Sequence, residues 1–570
     1  MLGLALFAAL QDAHTYRGMS VDLNTLRPDA NPMIPVVERF SVDRRDLDRV
    51  YDVETSPSTF AGRRAFYNDW LGAIQKLPFD GYPVEAKVDY VLLKNRLEGD
   101  MATLDIQEKR LQRAAKYLPD LGTVTTFIED NRQMTPIDAR SAAERLTAFA
   151  AEVGKKQSAL PTPAPTPEEP DARYAAGLVD NYRRGLKDWY DFFNGYDPNF
   201  SWWCKKPWEE ADAALDRYAK HLRERVAKTE GDEITGDPVG REALLIDLQR
   251  EFIAYTPEEL IEIANKEFAW CEKEMIKASN ALGFGNDWKK ALEHVKGLHE
   301  EPGGQPQMIK DLAWEAIDYL EKNDLLTVPA FAKSVWRMEM MSAERQKVSP
   351  FFLGGQTILV SFPTETMTHE EKLMSMRGNN RHFAKATVHH ELIPGHHMQG
   401  FMNARYNTHR SAFRTPFWTE GWALWWEFLL YERNFPATPE DKVGFLFWRM
   451  HRCARIIFSL RFHLGEMTPA ECVDFLVEKV GHERANAEGE VRRSFGGQYV
   501  PLYQLAYMTG ALQFRALYAD LVRSGKMTNK QFHDAILQLN NMPIDGIRMV
   551  LTSSAPSRDY KTAWKFYVEP

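Results

Sequence analysis

The sequence predicts a mainly α-helical protein with a small β element. Apolar residues recur at spacings of three and four along most of the chain, which is the period of a helix that buries one face. The segment Thr357–Pro363 departs from that period: it is short, rich in β-branched residues and bounded by Gly355 and Pro363, as a strand is. With 570 residues, 44% of them hydrophobic, the chain can bury a large core in one big or two moderate domains.

Amphipathic helices are predicted, in chain order, over Arg63–Lys76, Glu85–Leu104, Ile137–Ala159, Ala214–Val226, Pro257–Ala281 and Gln307–Asn323. Prolines alternate through Pro161–Pro167, which cannot be helical and is predicted to be an extended, polyproline-like connector. We therefore predict an N-terminal helical region at residues 14–160 and a second helical region at residues 171–570 that forms one integrated fold. The glycine pairs Gly354-Gly355 and Gly496-Gly497 belong to no nucleotide-loop motif.

Residues 1–13 open with the apolar run Met1–Leu10, which resembles the core of a secretory signal peptide but lacks a basic n-region. We interpret the segment as a truncated signal, which predicts a periplasmic or secreted protein; the alternative is a terminal helix of a cytoplasmic protein. The four cysteines are far apart without C-x-x-C spacing, so buried thiols are predicted.

Charge and hydropathy exclude two kinds of partner. A net charge of −9 and a pI near 6.0, with basic residues scattered along the chain, argue against a nucleic-acid-binding surface. No apolar run reaches the length of a membrane span.

The strongest chemical signal is the run from Val388 to His397, which reads V-H-H-E-L-I-P-G-H-H. It is similar to the metallopeptidase motif H-E-x-x-H, but Pro394 stands where the second histidine belongs, and the next histidine comes at i+6 from His390. His-Glu pairs also begin at His299, His369 and His482, and none of these has another histidine within the next ten residues. The alternative is a histidine-rich helix end whose rings bond to backbone carbonyls.

Helix geometry selects the second histidine. Positions i and i+6 of a straight helix lie about 120° apart, and two π-bulges would absorb the two extra residues and bring His396 onto the face of His390. His397 shares that face in an unbroken helix, but about 10 Å away. Since Pro394 cannot continue the helix, a break or bulge is expected there. We predict His390 and His396 as metal ligands, with His397 left open as the alternative to His396. His389 and, if it is not a ligand, His397 are expected to support the ligands or face a substrate.

A third ligand is predicted in the aromatic run Phe417–Glu427. Glu420 lies at the start of this helix-like segment, and Glu427 shares its face at i+7. A carboxylate buried among tryptophans is costly unless it binds a cation or shares a proton. The alternative is an ordinary carboxylate at a helix N-terminus.

These motifs resemble a large bacterial family, the domain of unknown function 885, whose members carry H-E-x-x-P-G-H-H followed by T-E-G-W-A; here these are His390–His397 and Thr419–Ala423. The family resembles helical zincins of the gluzincin type, which implies a deep cleft, and its glutamate ligand matches Glu420. Dipeptidyl peptidase III is similar in carrying an insertion between its zinc-binding histidines. The resemblance also covers His463, Arg493 and the run Pro501–Gly510. The chain departs from the family at Ser459, Leu502, Tyr503, Gln504 and Met508, which puts the substrate specificity in doubt.

The expected function is that of a zinc-dependent hydrolase of short peptides. Zn²⁺ would be held by His390, His396 and Glu420, with Glu391 as general base. For the oxyanion donor the candidates are Tyr507 first, then His463 and Tyr503.

Several alternatives stay open. Arg493 either binds a substrate carboxylate or pairs with a structural acid such as Glu427. The strand Thr357–Pro363 either offers an edge to a peptide or has no such role. The alternative functions are a zinc-binding protein without hydrolytic activity and a metal-free helical scaffold that binds a ligand or peptide.

Overall fold

The computed structural model describes residues 31–51, 53–163, 169–228, 233–346, 351–497 and 499–569. Helices make up 71% of the chain and strands 2%, which confirms the mainly α class with a small β element. The signal-like segment 1–13 lies outside the described residues, as does most of the proline run; its described part, residues 161–163, is not helical.

In the first half of the chain, every regular element within the described residues is a helix. Its helices are α1 (Ile34–Val50), α2 (Pro57–Gln75), α3 (Val84–Ala114), α4 (Gly122–Arg132), α5 (Ala139–Ser158), α6 (Glu169–Phe193), α7 (Pro198–His221, extended by a π turn over Leu222–Val226), α8 (Gly240–Arg250), α9 (Pro257–Ala281), α10 (Trp288–Lys296) and α11 (Gln305–Lys322). All six predicted helices fall on these elements. Side chains of Asp138, Asp197 and Thr256 cap the first turns of α5, α7 and α9, where backbone N–H groups lack helical partners.

The second half contains the sheet and the remaining helices. These are α12 (Ala330–Val335), β1 (Arg337–Met340), α13 (Ala343–Gln346), β2 (Thr357–Val360), α14 (His369–Gly378), α15 (Arg381–Glu391), α16 (His396–Asn403), α17 (Pro416–Glu432), α18 (Pro439–His463), α19 (Pro469–Phe475), α20 (Arg484–Phe495), α21 (Tyr503–Tyr518), α22 (Asn529–Leu539) and α23 (Ile544–Leu551). Among the described residues, no helix combines the length and the apolar character needed to cross a membrane.

The chain divides into two compact units. One comprises Met1–Ser41, Ile74–Gly99 and Pro238–Pro570, and the other comprises Val42–Ala73 and Asp100–Asp237. The boundary that we drew between residues 160 and 171 falls within the second unit. That unit has its own apolar core, in which Phe127 stacks on Trp189 with ring centroids 4.4 Å apart.

The predicted strand is confirmed over Thr357–Val360, and it pairs in parallel with β1 in the register Arg337↔Thr357. Its buried residues Ile358 and Val360 pack in one core with Val388 and Leu392 of the α15 region. On its other side, Leu359 exchanges both backbone hydrogen bonds with Leu353, at 2.8 and 3.1 Å. Because β2 has a neighbour on each side at this point, the structure favours a core strand over an open edge for a peptide.

Helix α18 is the central element of the first unit: nearly all of its residues are buried, and it packs against α9, α15 and α21. Helices α17 and α21 approach each other most closely at Gly421 and Gly510. A Cβ on Gly421 would lie 2.5 Å from the Cα of Gly510, so only glycines allow this contact. The close approach places Glu420 of α17 opposite the first turns of α21.

A buried ion pair joins α3 to the turn that precedes α17. Arg410 Nε donates to Asp89 Oδ1 at 2.8 Å, and His409 Nε2 lies 3.0 Å from Asp89 Oδ2. Both partners of the pair are fully buried. Burial raises the pKa of Asp89, but Arg410 and His409 lower it by a larger amount, so that the pKa is about 2. The carboxylate is therefore charged at neutral pH.

Candidate metal centre

The motif residues lie on two helices joined by a short turn. Helix α15 ends at Glu391 and α16 begins at His396, so the two predicted π-bulges are wrong and the break expected at Pro394 is found. Gly395 N donates to His389 O at 3.0 Å, and a Cβ on Gly395 would lie 1.7 Å from His390 O. Pro394 and Gly395 therefore terminate one helix and start the next, in place of the single bulged helix that the spacing predicted.

The turn is fastened to α17. Trp422 Nε1 donates to Pro394 O at 2.8 Å, and both groups are buried. This bond satisfies a carbonyl that no helix uses, and it holds the start of α16 beside the helix that carries Glu420.

Three side-chain atoms converge beside this turn. Glu420 Oε2 lies 3.5 Å from His390 Nε2 and 3.3 Å from His396 Nε2. Glu391 completes the cluster: its carboxylate and the two histidine rings offer atoms within 4.8 Å of one another, with Glu391 Oε2 3.9 Å from His396 Nε2. The structure thus brings together all three predicted ligands and the predicted general base.

The second atom of each of the three predicted ligands is already bonded. His390 Nδ1 donates to Glu427 Oε1 at 2.7 Å, and His396 Nδ1 donates to Gln399 Oε1 at 2.9 Å. Tyr503 OH donates to Glu420 Oε1 at 2.5 Å. These bonds fix the ring orientations and leave each Nε2 facing the shared point, where a metal ion can replace the proton that the nitrogen carries.

This arrangement fits a zinc ion. Glu420 Oε2 is buried and receives no hydrogen bond from any side chain or backbone group in the described part of the chain. Ligands about 2.1 Å from a tetrahedral Zn²⁺ lie about 3.4 Å from each other. The observed separations of 3.3 and 3.5 Å match that value. Two imidazoles and one carboxylate are also a common ligand set of catalytic zinc sites.

The electrostatics call for a positive charge at this point. Burial lowers the pKa of His396, but the neighbouring carboxylate of Glu420 raises it by a larger amount. The resulting pKa is about 9. Burial raises the pKa of Glu420, and its contacts with His396 and His390 outweigh this and hold it well below the usual value. The carboxylate is thus an anion beside two nitrogen atoms, and a proton or a metal ion has to balance it. Burial also raises the pKa of the nearby Glu391 carboxyl.

Three other histidines do not reach the cluster. His389 Nδ1 donates to Ala386 O at 2.7 Å, and burial lowers the pKa of His389 to about 3. His397 Nε2 donates to Ala332 O at 2.8 Å. His463 packs against Phe495 and is not among the described residues that line the cavity at the cluster. Neither His389 nor His397 faces a substrate, because each bonds to a carbonyl of the core.

The cluster opens onto a cavity of about 390 Å³. Tyr507 lines it, with its ring 6.2 Å from the ring of His390 and its hydroxyl hydrogen-bonded to none of the described residues. Gly354 also lines the cavity. It lies so close to Glu391 that a Cβ on this glycine would be 2.2 Å from Glu391 Oε2. The glycine pair to which the sequence attached no function therefore borders Glu391, the predicted general base.

Other residues of the site were missed from the sequence. Gln399 follows His396 by one helical turn, a spacing that could have identified it. Arg452 lines the cavity and could not have been placed from local sequence. Arg493 pairs with Glu490, at 2.7 Å, and not with the expected acid Glu427.

Fold and site together define a mainly helical protein with two histidines and a glutamate clustered at the wall of a cavity. The chain belongs to the family described as bacterial protein of unknown function (DUF885), which matches residues 42–551. No curated protein matches the sequence.

Two solved structures share the fold. One is described as a candidate lipoprotein of unknown function from Shewanella oneidensis; it has 16% identity and a TM-score of 0.67, and the match covers 90% of this chain and 98% of the other. The second, a candidate lipoprotein from Colwellia psychrerythraea, has 15% identity and a TM-score of 0.56, with 92% and 98% covered. At these identities the likeness concerns the fold alone.

Proposed function

We propose that this protein is a zinc-dependent hydrolase of short peptides with a helical zincin-like architecture. The observation that carries the proposal is the convergence of His390, His396 and Glu420, each with its other polar atom already bonded. Glu391 lies beside them and faces the cavity. A purely structural zinc site is usually closed by four protein ligands, whereas we assign three ligands here and give Glu391 of the same cluster to proton transfer, and the cluster borders a cavity.

Zn²⁺ held by these residues supplies Lewis acidity, which polarises a carbonyl and lowers the pKa of water. Glu391 accepts a proton from the attacking water and passes it to the leaving amine, so that one water is added, one C–N bond breaks, and an acid and an amine form. Its raised pKa suits a group that both accepts and returns a proton. Tyr507 donates its free hydroxyl to the developing oxyanion.

Tyr503 and His463 are assigned no such donor role. The hydroxyl of Tyr503 is used by Glu420, so this side chain orients a ligand. His463 is not among the described residues that line the cavity.

We further propose a periplasmic or secreted location. Two observations support it: the apolar start of the sequence and the description of two proteins of the same fold as candidate lipoproteins. Fractionation of cells that express the full gene tests this, and recovery of the protein in the cytoplasm would contradict it.

The experiment on function uses two matched pairs of variants. His396→Gln removes a predicted ligand and should abolish both bound zinc and peptide hydrolysis, whereas His397→Gln alters its neighbour and should retain both. Glu391→Gln should retain zinc while hydrolysis falls by orders of magnitude. Metal content by mass spectrometry and cleavage of a peptide library are measured. Unchanged cleavage by Glu391→Gln would refute the mechanism, and wild-type protein without bound zinc would favour the metal-free scaffold.

A further inference from the structure

Three buried arginines are among the residues that line the same cavity beside the candidate zinc-binding cluster. Arg452 and Arg455 lie one turn apart on α18, and Arg493 lies on α20. Their exposed fractions are 5, 2 and 6%, so all three guanidinium groups are buried. Buried cations are costly unless each is paired and hydrogen-bonded.

The described residues do not supply enough negative charge for them. Glu490 pairs with both Arg455, at 2.6 Å, and Arg493, at 2.7 Å. Among the described residues, Arg452 has an ion-pair partner only in Glu427, at 3.7 Å, and that carboxylate already accepts a hydrogen bond from His390. The group therefore carries more positive than negative charge.

Donor atoms are left over as well. Arg452 Nε, Arg455 Nη1 and Arg493 Nε are buried, and within the described ranges none of them has a hydrogen-bond acceptor. Buried guanidinium groups that line a cavity without full charge compensation favour an anionic ligand there, and a carboxylate fits because it accepts from several guanidinium groups at once.

The position of this group relative to the cluster is set by Tyr507. The guanidinium carbons of Arg455 and Arg452 lie 4.4 and 4.9 Å from the centre of its ring, and the His390 ring lies 6.2 Å from it. An anion bound by the arginines thus lies about one side chain away from the reacting bond.

The cavity also disfavours an amino terminus. Among its described lining residues the only acids are Glu391 and Glu420, both in the cluster, while Arg345 and Arg414 add further positive charge. A positive wall attracts an anionic chain end and repels an ammonium group. At about 390 Å³ the cavity lies near the small end of the range for ligand sites, which fits a short chain end.

We propose that Arg452, Arg455 and Arg493 form a subsite for the free C-terminal carboxylate of the substrate, so that the enzyme removes residues from peptide C-termini. This inference rests on the proposed hydrolase function for the cleavage step. The binding step depends on the arginines alone.

The test compares N-acetylated tetrapeptides without Asp or Glu, made as free acids and as C-terminal amides. Wild-type protein should hydrolyse the free acids with a kcat/KM about tenfold to a hundredfold higher, the value of a charge-assisted hydrogen bond. A third set of peptides ends in a glutamic acid residue whose main-chain carboxyl is an amide, so that the side chain carries the only carboxylate. If this set is cleaved as fast as the free acids, the subsite reads any carboxylate and the assignment to the chain end is overturned.

Variants identify the residues. Arg452→Lys and Arg455→Lys keep the charge but lose the planar fork, and each should reduce the ratio of kcat/KM for acids to kcat/KM for amides about tenfold; the ratio cancels any effect common to both substrates. The matched control is Arg449→Lys, because Arg449 is a buried arginine of the same helix that pairs with Glu267 and lies outside the cavity lining. Thermal unfolding shows whether each variant is folded. An unchanged preference in both cavity variants would overturn the proposal.

Binding separates this inference from the hydrolase proposal. Glu391→Gln protein is titrated with the free-acid and amide peptides in a calorimeter, alone and combined with Arg452→Lys. Tighter binding of the acid than of the amide, lost in the double variant, supports the subsite. If wild-type protein cleaves no peptide, that result refutes the hydrolase proposal alone and leaves the subsite standing. Equal binding of acid and amide overturns the subsite even if both are cleaved.

Discussion

The hydrogen bond between Glu427 and His390 allows a sharp test of the candidate metal centre. Glu427 Oε1 lies 2.7 Å from His390 Nδ1, and both side chains are at least 97% buried. Glu427→Gln keeps the size and one acceptor oxygen but removes the charge that makes the imidazole a better ligand. The fold should persist, while zinc binds more weakly.

The magnitude follows from the role of the bond. Carboxylates that orient a ligating histidine contribute about 10- to 100-fold in metal affinity, or about 1.4 to 2.7 kcal/mol. Glu427 also lies 3.7 Å from Arg452, so its loss leaves that cation with less compensation and favours the upper part of the range.

The assay is competition for zinc between the protein and a chelator of known affinity. The matched control is Glu432→Gln, at the end of the same helix, where the carboxylate pairs with Arg523 near the surface and contributes little. Unchanged zinc affinity in Glu427→Gln, or an equal loss in Glu432→Gln, would refute the assignment of His390 as a ligand held by Glu427.

Three further predictions concern packing, charge and protons. Gly421→Ala should destabilise the protein by about 1–3 kcal/mol and weaken zinc binding, because the new Cβ meets the α21 backbone and displaces Glu420; chemical denaturation and the chelator assay measure this. Asp89→Asn should cost about 3–5 kcal/mol in denaturation, because it removes the fully buried counter-charge of Arg410 and leaves that cation to Glu85, which is partly exposed and 3.3 Å away. Zinc binding at pH 7 should release a proton from His396, whose pKa of about 9 lies above the ordinary 6.5; calorimetry in buffers of different ionisation enthalpy measures it.

Each of these predictions has its own control. Gly154→Ala, in a helix with open space at the Cβ, should stabilise by about 0.5–1 kcal/mol, and an equal effect at Gly421 would contradict the packing interpretation. Asp559→Asn, at the surface, should change stability little, in contrast to Asp89→Asn.

The sign of the proton prediction follows from linkage. Because the pKa of His396 is raised on folding, its contact with Glu420 stabilises the metal-free fold fully below about pH 6.5, and this contribution is lost as the pH rises through about 9. A heat of zinc binding that is independent of the buffer would contradict it.

The sequence predicted what local periodicity and residue chemistry determine. Apolar spacing located the helices because burying one face of a helix leaves that period in any sequence. The set His390, Glu391, His396 and Glu420 was assembled from residue type, spacing and family resemblance, and the structure places the four together. The route between the histidines was misjudged, because Pro394 and Gly395 were treated as insertions in one helix rather than as the end of one and the start of another.

What the sequence could not show depends on contacts between distant segments. Arg452 and Arg493 share a cavity wall only because tertiary folding brings α18 and α20 together. The closeness of Gly354 to Glu391 is likewise a product of tertiary folding. The pair of Arg493 with Glu490 is instead local, at i,i+3 on α20, a spacing that could have identified it.

Helix α17 contacts or contributes every predicted ligand of the candidate metal centre. It contributes Glu420 itself and Glu427, the partner of His390; its Thr419 carbonyl holds Gln399, which orients His396, and Trp422 fastens the turn between the histidines. No pair of candidate ligands is therefore aligned until this one helix has docked. Because the docking of α17 and the binding of zinc are then linked equilibria, added zinc should protect the amide hydrogens of α15, α16 and α17 from exchange. The three helices should gain this protection together, as one cooperative unit.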